Sequence, residues 1–364
     1  MFKHIGEAKL YIQFHGLMID DELKKKLMER YDCNHIKVNK LFFGIVDNGE
    51  RIPIYARIVS QDGCEIYEKN DKYFIRVDKE EFIVCFNEKP QSYETMIGTK
   101  KASDIARTKG RCHMAVTINH FCIYFYENKK CLFCNIDQWP TNTDRTISEL
   151  IEVIYCYQES KDIKYISITG GTINHDDKGI ANIIQFIKRM RDRGIVLPVS
   201  VECEPLHDEK VFEQLKELGV TSMSINLEML DDETRQQIMP GKGAIPFEEY
   251  IKNWKTAVQV FGKNQIFTNI LLNSISKEND IERLETIVSC GVIPSIGMLI
   301  PDSGSELSEY PYLDLEIQKR IHEYNAKLLV KYGLNPYEVK AGCMKNGAYT
   351  PINEYYKYFF GKEE

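Results

Sequence analysis

The chain has 364 residues, 43% of them hydrophobic and 28% charged, with a formal net charge of −7. This is an ordinary globular composition, and the length suits one large α/β domain beside a smaller one. The acidic balance argues against a nucleic-acid partner, and no apolar run reaches the roughly eighteen residues that a membrane span needs. The opening MFKHIGEAKLYIQFHG lacks the apolar core and cleavage site of a signal peptide, so the chain reads as cytoplasmic.

In chain order, residues 1–110 read as a β-rich N-terminal domain of unassigned role. KLYIQFHG, HIKVNKLFFGIV, RIPIYARIVS, EIYEK, KYFIRVD and EFIVCF are short β-branched and aromatic runs. DNGE, QDG and KND separate some of them as turns. DDELKKKLMERY (20–31) is the one helix expected there. TKKASDIARTKGR (99–111) is polar and basic and reads as a linker or an ordered crossing segment.

Residues 111–335 change rhythm to strand, loop, helix. MAVTINHF is a strand, and RTISELIEVIYCYQ is a helix with a capping box at Thr146 and Glu149. KYISIT, LPVSVEC, SMSINLE, QIFTNILL and VIPSIGMLI are five further strands, each followed by a helical pattern. Six βα units with mostly apolar strands predict a parallel sheet covered by helices. The sheet is either doubly wound or a partial TIM-type barrel. Both place ligands at the carboxyl ends of the strands. Residues 336–364 form a C-terminal extension with one cysteine, Cys343.

Eleven cysteines, an odd number scattered along a long chain, fit a reducing compartment. Three of them, Cys122, Cys131 and Cys134, fall in HFCIYFYENKKCLFCNID, directly after the first strand of the α/β region. Three thiolates can hold three irons of a 4Fe-4S cluster and leave the fourth open. A zinc site would instead add a histidine, with His113 and His120 near in sequence. A redox pair would use Cys131 and Cys134 alone. Other strand ends carry polar groups as well. The second ends in Gly170, Gly171 and Thr172, and the third places Glu202 and Glu204 on one side. The fourth carries Ser224, Asn226 and Glu228 at period two, and the fifth carries Asn269. Polar groups on one face of apolar strands favour a polar barrel lumen.

These motifs together resemble the radical S-adenosylmethionine (radical SAM) superfamily, over residues 112 to about 335. There a three-cysteine loop follows the first strand of a partial (β/α)6 TIM-type barrel, usually spaced C-x3-C-x2-C with an aromatic before the last cysteine. Phe133 stands at that aromatic position. Gly170, Gly171 and Thr172 are similar to the Gly-Gly-Thr of the oxygen-independent coproporphyrinogen oxidase branch. VECEP and MSINLEMLDDETRQQI resemble its following strands, with Glu202 and Glu228 at the matching polar positions. The departure is the first spacing, eight residues instead of three. Cys112, the alternative first ligand, precedes the strand and belongs at the other end of the barrel.

The resemblance implies that Cys122, Cys131 and Cys134 ligate a 4Fe-4S cluster. S-adenosylmethionine would bind at the open iron and be reductively cleaved to a 5′-deoxyadenosyl radical, which takes hydrogen from a small-molecule or peptide substrate. It implies cofactor contacts at Phe133, Gly170, Gly171, Thr172, Glu202, Ser224, Asn226 and Asn269. Glu228 and Cys343 are candidate catalytic groups. A flavodoxin or ferredoxin would donate the electron, and the cluster would be oxygen-sensitive. Two other roles stand beside this one: a zinc-binding or redox regulatory protein, and a non-catalytic scaffold or chaperone on the same fold.

Overall fold

The computed structural model describes residues 1–134, 136, 145–272, 281–299, 305–307 and 313–361. The chain opens with helix α1 (Ile5–His15), where KLYIQFHG suggests a strand. The His4 side chain accepts from the Gly6 N–H at its start, and Gly16 ends it at φ +80°. The helix is buried nearly all round: Lys9 and Gln13 lie inside with Ala8, Leu10 and Ile12. It therefore has no polar stripe to betray a 3.6-residue period, and its aromatic and β-branched residues mimic a strand.

Strand β1 (Leu17–Met18), helix α2 (Asp21–Arg30) and strands β2 (Lys40–Asp47), β3 (Glu50–Arg57), β4 (Cys64–Lys69), β5 (Lys72–Val77) and β6 (Glu80–Cys85) follow. These strands form one sheet in the order β1-β4-β5-β6-β2-β3, antiparallel apart from β1 beside β4. It has its own core, including Ile12, Leu41, Ile54 and Ile75. Residues 99–111 are an ordered crossing. A ribbon of β7 (Met96–Ile97) and β8 (Lys100–Lys101) leads into the short helix α3 (Ala102–Ile105), whose Ala102 and Ile105 join the larger core.

That larger core belongs to the parallel sheet. Its elements are β9 (His113–Thr117), α4 (Ile123–Tyr126), α5 (Ile147–Glu159), β10 (Tyr165–Thr169), α6 (Ile180–Asp192), β11 (Val199–Cys203) and α7 (Lys210–Glu217). Then come β12 (Val220–Ile225), α8 (Asp232–Ile238), α9 (Pro240–Gly243), α10 (Phe247–Phe261), β13 (Ile266–Leu272), α11 (Glu282–Ser289), β14 (Ile293–Met298) and α12 (Leu315–Lys331). The strands lie in chain order, β14-β13-β12-β11-β10-β9, all parallel. Sequential order with a helical crossover at each step curls a sheet one way, into a partial (β/α)6 TIM-type barrel. β9 and β14 remain as its edges. The strands read as apolar runs because both faces are covered. The capping box at Thr146 and Glu149 is present as expected. Of VIPSIGMLIPDSGSEL, residues 300–304 lie outside the described residues. Among the described residues no helix is long and apolar enough to cross a membrane.

The chain ends with α13 (Cys343–Asn346) and α14 (Ile352–Phe360), and α14 packs on α12 and α1. Residues 347–354 are stitched to the N-terminal region. Lys9 Nζ donates to the Gly347 carbonyl at 2.6 Å and pairs with Glu354 at 3.0 Å, both side chains almost fully buried. Gln13 Nε2 and the Tyr55 N–H each donate to the Ala348 carbonyl at 3.0 Å. Burial pulls the Lys9 ammonium below its ordinary value, and Glu354 pulls it back. Removing one partner of such a pair strands the other in the interior. Lys9→Met should therefore lower the unfolding free energy by about 3 kcal/mol, measured by denaturant titration, and the double change Lys9→Met, Glu354→Leu should recover part of that loss.

Candidate functional site

The carboxyl ends of the parallel strands open into a cavity of about 490 Å³. Cys122, Cys131 and Cys134 all line it. Cys122 stands at the N-cap of α4, and Cys131 and Cys134 are tied by a turn in which the Cys134 N–H donates to the Cys131 carbonyl at 2.9 Å. Cys131, Phe133 and Cys134 pack beside Met229, Met239 and Leu299 in an apolar cluster. Burial pushes both thiols above their ordinary range, and Lys242 acts against it. Cys112 lies before β9 and lines a different cavity. His113 opens β9, a strand's length from the cysteine loop, where it stacks on Tyr165 and meets Ser167 at 2.9 Å. It does not join the cysteines.

Gly170, Gly171 and Thr172 leave the end of β10 directly beneath this loop. A β-carbon on Gly171 would overlap the Phe121 carbonyl, so only glycine lets the two backbones meet. The Ile123 N–H then donates to the Thr172 carbonyl at 2.7 Å. The eight-residue insert has a defined task in this geometry. Its α4 turn swings Tyr124 inward, where the hydroxyl donates to Glu204 at 3.0 Å. Thr172 donates to the other oxygen of the same carboxylate. The Tyr124 ring covers Gly241, where a β-carbon would collide with it. Lys129 closes the insert by accepting from the Gly241 N–H at 3.0 Å. Of the three aromatics, Tyr124 thus anchors the loop and Phe125 faces the cavity. Tyr126 is 75% exposed and stacks on Phe121.

The lumen concentrates charge. Glu202, Glu204, Glu228 and Lys242 all line the cavity. Burial raises the Glu202 and Glu228 carboxyls above the usual carboxylate range, with Lys242 opposing. Burial acts to lower Lys242, but Glu228, Cys131 and Glu204 outweigh it and hold the ammonium well above its ordinary value. Lys242 Nζ lies 3.8 Å from Glu228. Glu228 sits at φ +69°, a left-handed conformation that side chains rarely adopt, bridged to β13 through Asn269 and Leu271. Cys343 Sγ lies 3.4 Å from Glu202, so α13 of the C-terminal segment brings its thiol to the lumen.

The structure thus gathers Phe133, the Gly-Gly-Thr turn, Glu202, Asn226, Glu228, Asn269 and Cys343 with the three cysteines around one cavity. Ser224, fully buried within β12, is not among the residues that line the cavity; its hydroxyl donates to Asn226, which does line it. Sequence reasoning overlooked Lys242 and the anchoring contacts of Tyr124. The signal for Lys242 was its place between Gly241 and Gly243, both of which sit against neighbours too close for a side chain.

Residues 122–289 match the Radical SAM superfamily. A curated relative, a bacteriochlorophyllide c C-7(1)-hydroxylase from Chlorobaculum limnaeum, is 27% identical over 138 residues, which cover 37% of this chain and 34% of the relative. The chain thus matches about a third of that relative's length. Among solved structures, methylornithine synthase is 13% identical over 66% of this chain and 69% of its own, with a TM-score of 0.47. The FeFe-hydrogenase maturase of Carboxydothermus hydrogenoformans is 16% identical over 64% of this chain and 55% of its own, with a TM-score of 0.45.

Among the described residues no three His, Cys, Asp or Glu side chains are gathered as around a single metal ion. An iron–sulfur cluster bridges its ligands through several irons and sulfides, so its thiolates need not meet at one point. Three thiols on one wall, an apolar backing and a nearby ammonium fit such a group. The seat of the loop is testable. Gly171→Ala should cost about 1–3 kcal/mol locally, seen as faster amide hydrogen exchange through residues 121–134 and poorer iron loading. Tyr124→Phe should loosen the same amides less, by about 1 kcal/mol.

Proposed function

We propose, from the premise that the chain belongs to the radical SAM superfamily, that it is an enzyme that reductively cleaves S-adenosylmethionine at a 4Fe-4S cluster and abstracts hydrogen from a small-molecule or peptide substrate with the resulting 5′-deoxyadenosyl radical. One observation carries the reading. Three thiols share a cavity with a close-packed Gly-Gly-Thr turn and buried carboxylates at the carboxyl ends of a partial barrel.

The chain's residues divide the work. Cys122, Cys131 and Cys134 would hold the cluster, with Phe133 and the Met229–Met239 cluster excluding water behind them. Lys242 offsets the negative charge that thiolates bring into a low-dielectric wall. Thr172 and Glu204 present a carboxylate beside the Gly-Gly turn, where it can accept from the methionyl ammonium. This chain has threonine at the third motif position, and Glu204 on the next strand's end supplies the acid. Glu202, Asn226 and Asn269 offer hydrogen-bond partners to the ribose and carboxylate. Glu228 and Cys343 face the remaining space, as candidates for contact with substrate. The electron would come from a flavodoxin or ferredoxin in the cytoplasm. The hydroxylase relative acts, by its name, at a carbon position, in keeping with hydrogen abstraction.

The division into residues 1–110, 111–335 and 336–364 belongs to the same proposal, with the barrel as the catalytic unit. Anaerobic reconstitution should give about four irons per chain and, after reduction, 5′-deoxyadenosine. Cys122→Ala, Cys131→Ala and Cys134→Ala should each abolish that product. Cleavage that survives the loss of Cys122 would refute its place as a ligand, and stoichiometric zinc without iron would overturn the enzyme reading. Glu204→Gln should weaken S-adenosylmethionine binding by about tenfold or more, read by equilibrium binding to the reconstituted protein.

A further inference from the structure

A second cavity, of about 360 Å³, lies at the opposite end of the barrel from the cysteines. Its walls come from four stretches distant in sequence. The N-terminal sheet gives Phe42, Arg51 and Pro53. The crossing segment gives Arg111 and Cys112, the start of β10 gives Lys164 and Tyr165, and the C-terminal segment gives Lys340, Lys345 and Asn346.

Among the described residues, five of the lining side chains are cationic and none is acidic. In a chain with a net charge of −7, that is a local inversion. None of the five is ion-paired among the described residues, although elsewhere lysines and arginines commonly find carboxylates, as Arg283 does at 2.7 Å and Lys26 at 2.6 Å. The cations also converge: Lys164, Arg111, Arg51 and Lys345 all act on the Cys112 thiol. Arg51 is the most fixed of them. Its guanidinium lies across Gly44, where a β-carbon would displace it, and Nη2 donates to Asn87 at 2.7 Å. Among the described residues its Nε is buried without a partner. Clustered like charges repel, and a buried donor without an acceptor costs free energy, so this arrangement of cations is held at some expense. An anion relieves both terms.

We propose that this cavity binds a small phosphate-bearing molecule of about nucleotide size. A guanidinium fork with several ammonium groups suits a phosphate, which offers several charged oxygens. Phe42, Pro53 and Tyr165 supply an apolar wall for a ring. The volume suits a small molecule rather than a segment of a macromolecule. The proposal stands apart from the cluster chemistry, but the two sites share an element. On α13, Cys343 reaches the first cavity and Lys345 and Asn346 line the second. Asn346 Nδ2 also donates to the Lys109 carbonyl at 3.0 Å, and Lys109 itself borders the first cavity.

The test is calorimetric titration of the reconstituted 364-residue chain with inorganic pyrophosphate, adenosine diphosphate and adenosine. Pyrophosphate is expected to bind at about one site per chain and to weaken as salt rises. Adenosine diphosphate should bind more tightly, and adenosine should not bind in this cavity. The double change Lys164→Glu, Lys345→Glu, at exposed positions, should weaken pyrophosphate by about tenfold or more while iron content and unfolding midpoint stay unchanged. Lys242→Met, in the other cavity, should leave pyrophosphate binding intact. The proposal is overturned if pyrophosphate fails to bind at millimolar concentration, if the double change leaves its affinity unaltered, or if Lys242→Met removes it. An oligoglutamate peptide that binds as tightly as pyrophosphate would also overturn it, by showing an unspecific response to charge.

Discussion

The carboxyl end of the sheet depends on a single close approach. β9 and β10 are neighbours, and the loop that leaves β9 must cross over the turn that leaves β10. At Gly171 the two backbones come so near that a β-carbon would enter the space of the Phe121 carbonyl. This contact fixes Cys122 over the strand ends. It also orients the Thr172 carbonyl to start α4, and through α4 it directs Tyr124 toward Glu204. The long cysteine loop would otherwise pay a large ordering cost. Here it is held at both ends and once in the middle.

Charge balance is the second constraint. Three carboxylates and five thiols, among them Cys122, Cys131 and Cys134, share the cavity with Lys242. Burial disfavours the ionised forms of Glu202, Glu228, Cys131 and Cys134, which lean toward neutrality. Lys242 leans toward its charged form because so many acids surround it. Lys109 and Lys178 line the same cavity, so three lysines stand opposite the three carboxylates.

Much of this was legible in the sequence, for identifiable reasons. The six barrel strands are apolar runs because both faces are covered, and that pattern survives without any tertiary information. The three cysteines and the Gly-Gly-Thr turn sit next to strand ends, so sequence position alone gave their address. α1 was misread because burial on every side erased its period. Ser224 stands inside β12 and meets the cavity wall through Asn226, a contact that strand alternation alone does not specify. Lys242 was missed because it reaches the site from α9, more than a hundred residues after the cysteines, and only the folded barrel brings them together. Tyr124 lies in the cysteine loop, but its anchoring role depends on Glu204 and Gly241, partners that no local pattern joins to it.

The sheet runs from β9 to β14 without closing. The wall of the main cavity is completed from outside the strands, by Gln13 and Tyr55 from the N-terminal region and by Cys343 and Tyr349 from the C-terminal segment. Whatever fills the cavity therefore meets two surfaces of different origin. One is built by the parallel strands and the loops that leave them, and the other by residues before and after that sheet. The two surfaces meet where Cys343 Sγ lies 3.4 Å from Glu202, so a substitution in the C-terminal segment is felt at a carboxylate of the strand ends, whereas Gln13 and Tyr55 border the same space from the N-terminal region.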